Sequence, residues 1–161
     1  MEPEKGYIAF NSVAVFVKFP SQTADGEVLS MQIPCTVSDW QLSSLEQVCN
    51  SSLPPASTLE DLYIFDDRKY PPRWQDDVEN TLWLDLLRSC VAVKNLYLSE
   101  EYVPRIAPAL QELVGGRTTE VLPTLENIIL MGFQPSSPLH EGIEKFVAAR
   151  RLTSHPVAVS R

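Results

Sequence analysis

Three hexapeptides constrain this chain more than any other feature: Leu59-Glu60-Asp61-Leu62-Tyr63-Ile64, Val93-Lys94-Asn95-Leu96-Tyr97-Leu98 and Leu125-Glu126-Asn127-Ile128-Ile129-Leu130. Each reads apolar-x-x-apolar-x-apolar. They begin at residues 59, 93 and 125, so the spacings are 34 and 32 residues. A fourth stretch, Val28-Leu29-Ser30-Met31-Gln32-Ile33, begins 31 residues before the first. A fixed period near 30 residues is the mark of a stacked repeat, in which no unit buries its apolar face alone.

Between the hexapeptides the apolar residues change to helical spacing. Ser38 with Gln41 three residues later forms a capping box, with Val37 and Leu42 as its staple. Leu42, Leu45, Val48 and Cys49 then share one face. Val78, Leu82, Leu86 and Cys90, widened by Trp83 and Leu87, predict a helix over 76–90. Ile106, Leu110, Leu113 and Val114 predict a third helix, with Pro104 in its first turn, a kink or delayed start at Pro108, and a stop at Gly115-Gly116. Leu139, Ile143, Phe146 and Val147 predict a fourth, capped by Ser137 before Pro138. A last strand is expected at Val157-Ala158-Val159. Strands alternating with helices indicate parallel β/α units. The hexapeptide pattern is that of the strand in leucine-rich repeats. The expected fold is therefore α/β: a short, irregular leucine-rich-repeat-like solenoid in a single domain over residues 1–161, with 1–6 frayed.

The N-terminal part departs from the period. Val13–Phe19 is β-branched and aromatic, which favours a strand. The turn-rich stretch that follows it is too short for a helical crossover. The strand is thus expected to form a hairpin with 28–33, or else to be a degenerate first repeat.

Alternation along the strands points Leu62 and Ile64, Leu96 and Leu98, and Ile128 and Leu130 inward. Gln32, Tyr63, Tyr97 and Ile129 are then expected in one outward column, and Ser30, Asp61, Asn95 and Asn127 in the next. An exposed aromatic ladder is the kind of surface that anchors a protein partner. The competing expectation is that these are same-face neighbours stabilising the sheet, or that another segment covers them. Trp74, in a proline-rich connection, joins Gln32, Tyr63, Tyr97 and Ile129 as a candidate partner-binding residue. Trp40 and Trp83 read as core.

Composition narrows the function classes. Apolar residues make up 44% and charged residues 21%, as in a globular domain. The net charge of −8, with scattered Lys and Arg, disfavours nucleic acid and anionic membrane surfaces as partners. No apolar run approaches the ~20 residues of a membrane helix. Cys35, Cys49 and Cys90 are widely spaced, without CxxC or Cys/His pairing, and are expected to be buried free thiols. The acidic start Met1-Glu2-Pro3-Glu4-Lys5 is not a secretory signal. An intracellular location, cytoplasmic or nuclear, is the expectation, and the sequon at Asn50 reads as a polar helix end. His140 and His155 lack ligand-spaced partners. Asp66-Asp67 and Asp76-Asp77-Glu79 lack the glycine and spacing of a calcium loop. No nucleophile or phosphate-binding motif is present. No catalysis, cofactor or metal is expected.

Several stretches form a recognisable set: Asp39-Trp40-Gln41-Leu42-Ser43-Ser44, Leu59–Ile64, Trp74-Gln75-Asp76-Asp77-Val78-Glu79-Asn80, Leu96-Tyr97-Leu98-Ser99-Glu100-Glu101, Ala109-Leu110-Gln111-Glu112-Leu113-Val114 and Phe146-Val147-Ala148-Ala149-Arg150. From about residue 7 onward the chain resembles the C-terminal leucine-rich-repeat-like region of mushroom-type fungal F-box-like proteins. The resemblance implies a repeat domain that selects a substrate. It also implies an N-terminal F-box-like segment that joins a ubiquitin-ligase adaptor, and that segment is absent here. Two other readings stand beside it. One is a small α/β enzyme with its site beyond the strand ends, at Asp66-Asp67, Ser99-Glu100-Glu101 and Gly132-Phe133. The other is a truncated fragment without function.

Overall fold

A computed structural model describes residues 4–20, 28–35, 38–50, 56–66, 80–134 and 136–161. Its seven strands form one open sheet: β1 (Lys5–Phe10), β2 (Ala14–Pro20), β3 (Val28–Pro34), β4 (Asp61–Asp66), β5 (Asn95–Ser99), β6 (Asn127–Met131) and β7 (Ala158–Ser160). Their order across the sheet is β3-β2-β1-β4-β5-β6-β7. β1, β4, β5, β6 and β7 run parallel. β2 and β3 are antiparallel to their neighbours. The helices α1 (Ser38–Asn50), α2 (Asn80–Arg88), α3 (Val103–Gln111) and α4 (Glu141–Arg150) precede β4, β5, β6 and β7 in turn. They pack side by side in chain order, and the fold is α/β.

The three hexapeptides lie side by side in register: Leu62 beside Leu96 and Ile128, and Ile64 beside Leu98 and Leu130. All six of these inward residues are buried in one core with Leu42, Leu45, Trp83, Leu86, Ile106, Leu110, Ile143 and Phe146 of the helices. The period also repeats in the main chain. Glu60 O accepts from Lys94 N and Asn95 N at 2.8 and 3.0 Å. Lys94 O accepts from Glu126 N and Asn127 N at 2.8 and 2.9 Å. Glu4 O does the same for Glu60 N and Asp61 N.

Glu4 thus belongs to the series, and the expectation that residues 1–6 fray fails for 4–6. Lys5 and Gly6 pair with Asp61 and Leu62 at the start of β1. Gly6 has no local strand preference, but it faces inward where Leu59 and Phe19 leave no room. A Cβ there would stand 2.5 Å from Leu59 Cδ1. The hairpin of β2 and β3 forms as expected. Val28–Ile33 is therefore not a fourth copy of the repeat, because it pairs only with β2, antiparallel, at the far edge, with β1 and β2 between it and β4.

Other differences have local causes. Gln41 does not close a capping box. Its buried amide donates to Asn11 O at 3.1 Å and Cys35 O at 2.6 Å, tying α1 to the turn between β1 and β2 and to the end of β3. α3 runs through Pro108 and ends at Gln111, so Val114 falls beyond the helix and is exposed. Gly115 and Gly116 follow with φ of 111° and 114°. α4 begins three residues later than the Ser137-Pro138 signal. His140 is its cap, its Nδ1 accepting from Gly142 N at 3.0 Å. Val37 and Val78, and the proline-rich connection with Trp74, lie outside the described residues.

Candidate functional site: the outward face of the sheet

Alternation leaves one face of the sheet to the helices and turns the other outward. Across the outward face the register lines up Ser30, Lys18, Tyr7, Tyr63, Tyr97, Ile129 and Ser160. Tyr63, Tyr97 and Ile129 stand in the expected column. Gln32 does not. It pairs with Phe16 and belongs to a second row, Gln32, Phe16, Ala9 and Phe65. Ser30 enters the tyrosine row instead of the asparagine row. Both displacements follow from register: two successive antiparallel pairings leave β3 running the same way as β4, but the ladders through β2 and β1 set it two residues out of step with the hexapeptides. Trp74 lies outside the described residues.

Tyr7 is the residue that sequence reasoning missed. Its ring stacks on Tyr63 with centroids 4.7 Å apart, and Tyr63 stacks on Tyr97 at 4.1 Å with 8° between planes. The alternation Tyr7-Ile8-Ala9-Phe10 carried the strand signal. Parallel strands in register set the ring spacing, since neighbouring strands lie about 4.8 Å apart. Burial within the stack pushes the Tyr63 hydroxyl up to about 12, aided by its hydrogen bond to Tyr97.

Beneath the tyrosines runs a polar ladder. Asn95 Nδ2 donates to Asp61 Oδ1 at 2.7 Å, and Asn127 Nδ2 donates to Asn95 Oδ1 at 2.8 Å. Asp61 is 5% exposed. The ladder holds three strands in register at the end opposite their carboxyl termini.

Two depressions mark this face. The larger, about 610 Å3, lies over the antiparallel half between Phe16, Phe65, Tyr7, Met31, Gln32 and Lys18. Phe16 is 36% exposed. The smaller, about 390 Å3, opens to solvent at the carboxyl ends of the parallel strands, where Asp66, Glu100 and Glu101 converge beside Ser99 and Tyr63. Among the described residues no cluster of His, Cys, Asp and Glu has an arrangement that would hold a metal ion.

The remaining candidates sit elsewhere. Trp83 is buried, but Trp40, read from the sequence as core, is 67% exposed because it points away from the Leu42-Leu45-Cys49 stripe. Cys49 and Cys90 are buried, and burial pushes their thiols up to about 12 and about 11. Cys35 is only half-buried. No described helix is long and apolar enough to cross a membrane. Comparison of the chain with protein-family models, with curated proteins and with solved structures finds no match.

Proposed function

We propose that this chain is a non-enzymatic protein–protein interaction module, a short leucine-rich-repeat-like solenoid that receives a protein partner on the outward face of its sheet. The observation that carries the reading is the stacked row Tyr7, Tyr63, Tyr97, continued by Ile129 and flanked by Phe65 and Phe16. Ordered aromatic rings offer large contact area at small entropic cost, which is why such residues anchor interfaces. The parallel, in-register hexapeptides support the solenoid part. The resemblance to fungal F-box-like proteins supports substrate recognition in an intracellular ubiquitin ligase, with the adaptor contact made by an F-box-like segment.

Photo-crosslinking from position 129 tests the interaction. A specific adduct that disappears in the Tyr63→Ala/Tyr97→Ala double variant, with the fold retained, is the expected result. No adduct from this chain or from full-length relatives removes the reading. Pull-downs of full-length relatives that recover no ubiquitin-ligase component remove the ubiquitin part alone.

A further inference from the structure

The outer edge of β3 supports a second interaction, independent of the aromatic face. Cys35 N donates to Val13 O at 2.8 Å, and the register pairs Val15 with Ile33 and Val17 with Met31. Bonded and non-bonded pairs alternate along an antiparallel ladder. Ile33 and Met31 therefore bond to β2, while the main-chain groups of Val28, Ser30, Gln32 and Pro34 turn away from it. Pro34, which has no donor, occupies one of these outward positions, where no ladder bond is lost. Among the described residues no strand covers this edge.

Sheets protect such edges with charge, proline, bulges or brevity. Of these β3 has only the proline at its end. It is seven residues long, VLSMQIP, without a charged side chain, and its pairing with β2 is unbroken. The opposite edge, β7, is three residues long and is followed by Arg161, which donates to Ser137 O. Met31 and Ile33 face the core from β3 but are only half-buried, since nothing described lies beyond them.

We propose that a second copy of this chain pairs with β3 antiparallel, about a twofold axis at Met31, joining two sheets into one. This register engages all seven residues. The donors of Val28, Ser30 and Gln32 meet the carbonyls of Pro34, Gln32 and Ser30 of the second copy, about six bonds in all. The missing donor of Pro34 falls at the rim. The strand is its own complement in this register, which is what favours a second copy as the occupant. The net charge of −8 opposes the approach of two copies, but the neutral edge adds no apposed carboxylates to that repulsion. Lys18, the nearest cation among the described residues of the outward face, lies at least three strand spacings from its equivalent, roughly 14 Å or more and beyond a Debye length of about 8 Å. Met31 then packs against its own copy, and the two outward faces become continuous.

Sedimentation equilibrium from about 5 to about 500 µM tests the pairing. The expected mass rises toward twice the 18.1 kDa chain. Ser30→Pro, which removes an outward donor, and Met31→Lys, which places charge at the edge, should each return the single-chain mass with unchanged far-ultraviolet circular dichroism. Tyr97→Ala should leave the doubled mass intact, separating this edge from association through the aromatic face. In the unaltered protein the Ser30 and Gln32 amides should exchange more slowly as concentration rises. A single-chain mass throughout, a doubled mass in both folded edge variants, or edge amides indifferent to concentration would overturn the proposal.

Discussion

The guanidinium of Arg150 donates from Nη1 to the carbonyl oxygen of Leu122 at 3.1 Å, and Leu122 holds a φ of +51°, a left-handed value rare for a residue with a branched side chain. The same guanidinium donates to Thr118, Pro123, Leu125 and His155 carbonyls. Arg150 is fully buried and faces no carboxylate in these contacts. Five carbonyl dipoles stabilise its charge and, in return, hold the connection between α3 and β6 in shape.

Arg150→Lys should therefore destabilise the protein nearly as much as Arg150→Met. An ammonium cannot reach five carbonyls arranged for a planar fork. A loss of about 3 kcal/mol is expected from the unpaired buried groups. Urea unfolding measures it. A lysine variant within about 0.5 kcal/mol of the parent would show that the charge alone suffices.

The polar ladder gives a graded prediction. Asn95 both donates to Asp61 and accepts from Asn127, whereas Asn127 only donates within the ladder. Asn95→Ala should cost about 1–3 kcal/mol, because it leaves the buried Asp61 oxygen without this donor. Asn127→Ala should cost about 1 kcal/mol. Equal losses in chemical denaturation would mean that Asp61 finds water once Asn95 is gone.

Two glycines are close-packed for different reasons, and alanine separates them. A Cβ on Gly142 would stand 2.6 Å from Ala107 O, a main-chain atom, so α3 and α4 must part. A Cβ on Gly6 would meet the end of the Leu59 side chain, which can turn aside. Gly142→Ala should lower stability by about 1–3 kcal/mol and Gly6→Ala by less, read from thermal melts of the two variants.

Alkali should loosen the tyrosine stack. The folded Tyr63 hydroxyl is raised from its ordinary 10 to about 12, so the folded state holds the proton more tightly than the unfolded chain. Its stabilising contribution is complete below pH 10 and is lost as pH rises from 10 to 12. Spectrophotometric titration at 295 nm should show a late-ionising tyrosine that returns to an ordinary value in Tyr97→Ala. A titration unchanged by that substitution would mean that the neighbouring ring does not sustain the shift.

The inward residues were legible because burial writes a period into a sequence. Leu62, Ile64, Leu96, Leu98, Ile128 and Leu130 had to be apolar at alternate positions, and their recurrence with the helical stripes between them carried the parallel β/α order. The outward tyrosines at 63 and 97 followed from the same alternation. The short connection between Phe19 and Val28 was enough to place a hairpin. Gly6, His140 and Gln41 were less legible, since a strand glycine, a histidine cap and a side chain that bonds distant turns have no local signature.

Tertiary structure alone decided which strands meet. Neither the place of β1 beside β4 nor the two-residue register shift that moves Gln32 out of the tyrosine row can be read from spacing, because pairing joins residues tens of positions apart through main-chain groups that every residue carries. The same holds for Arg150. Its sequence neighbours resemble any helix end, and only the folded chain brings Thr118, Leu122, Leu125 and His155 around it, where desolvation makes each hydrogen bond matter. Local periodicity determined what must be buried; the geometry of the closed core determined what it is buried against.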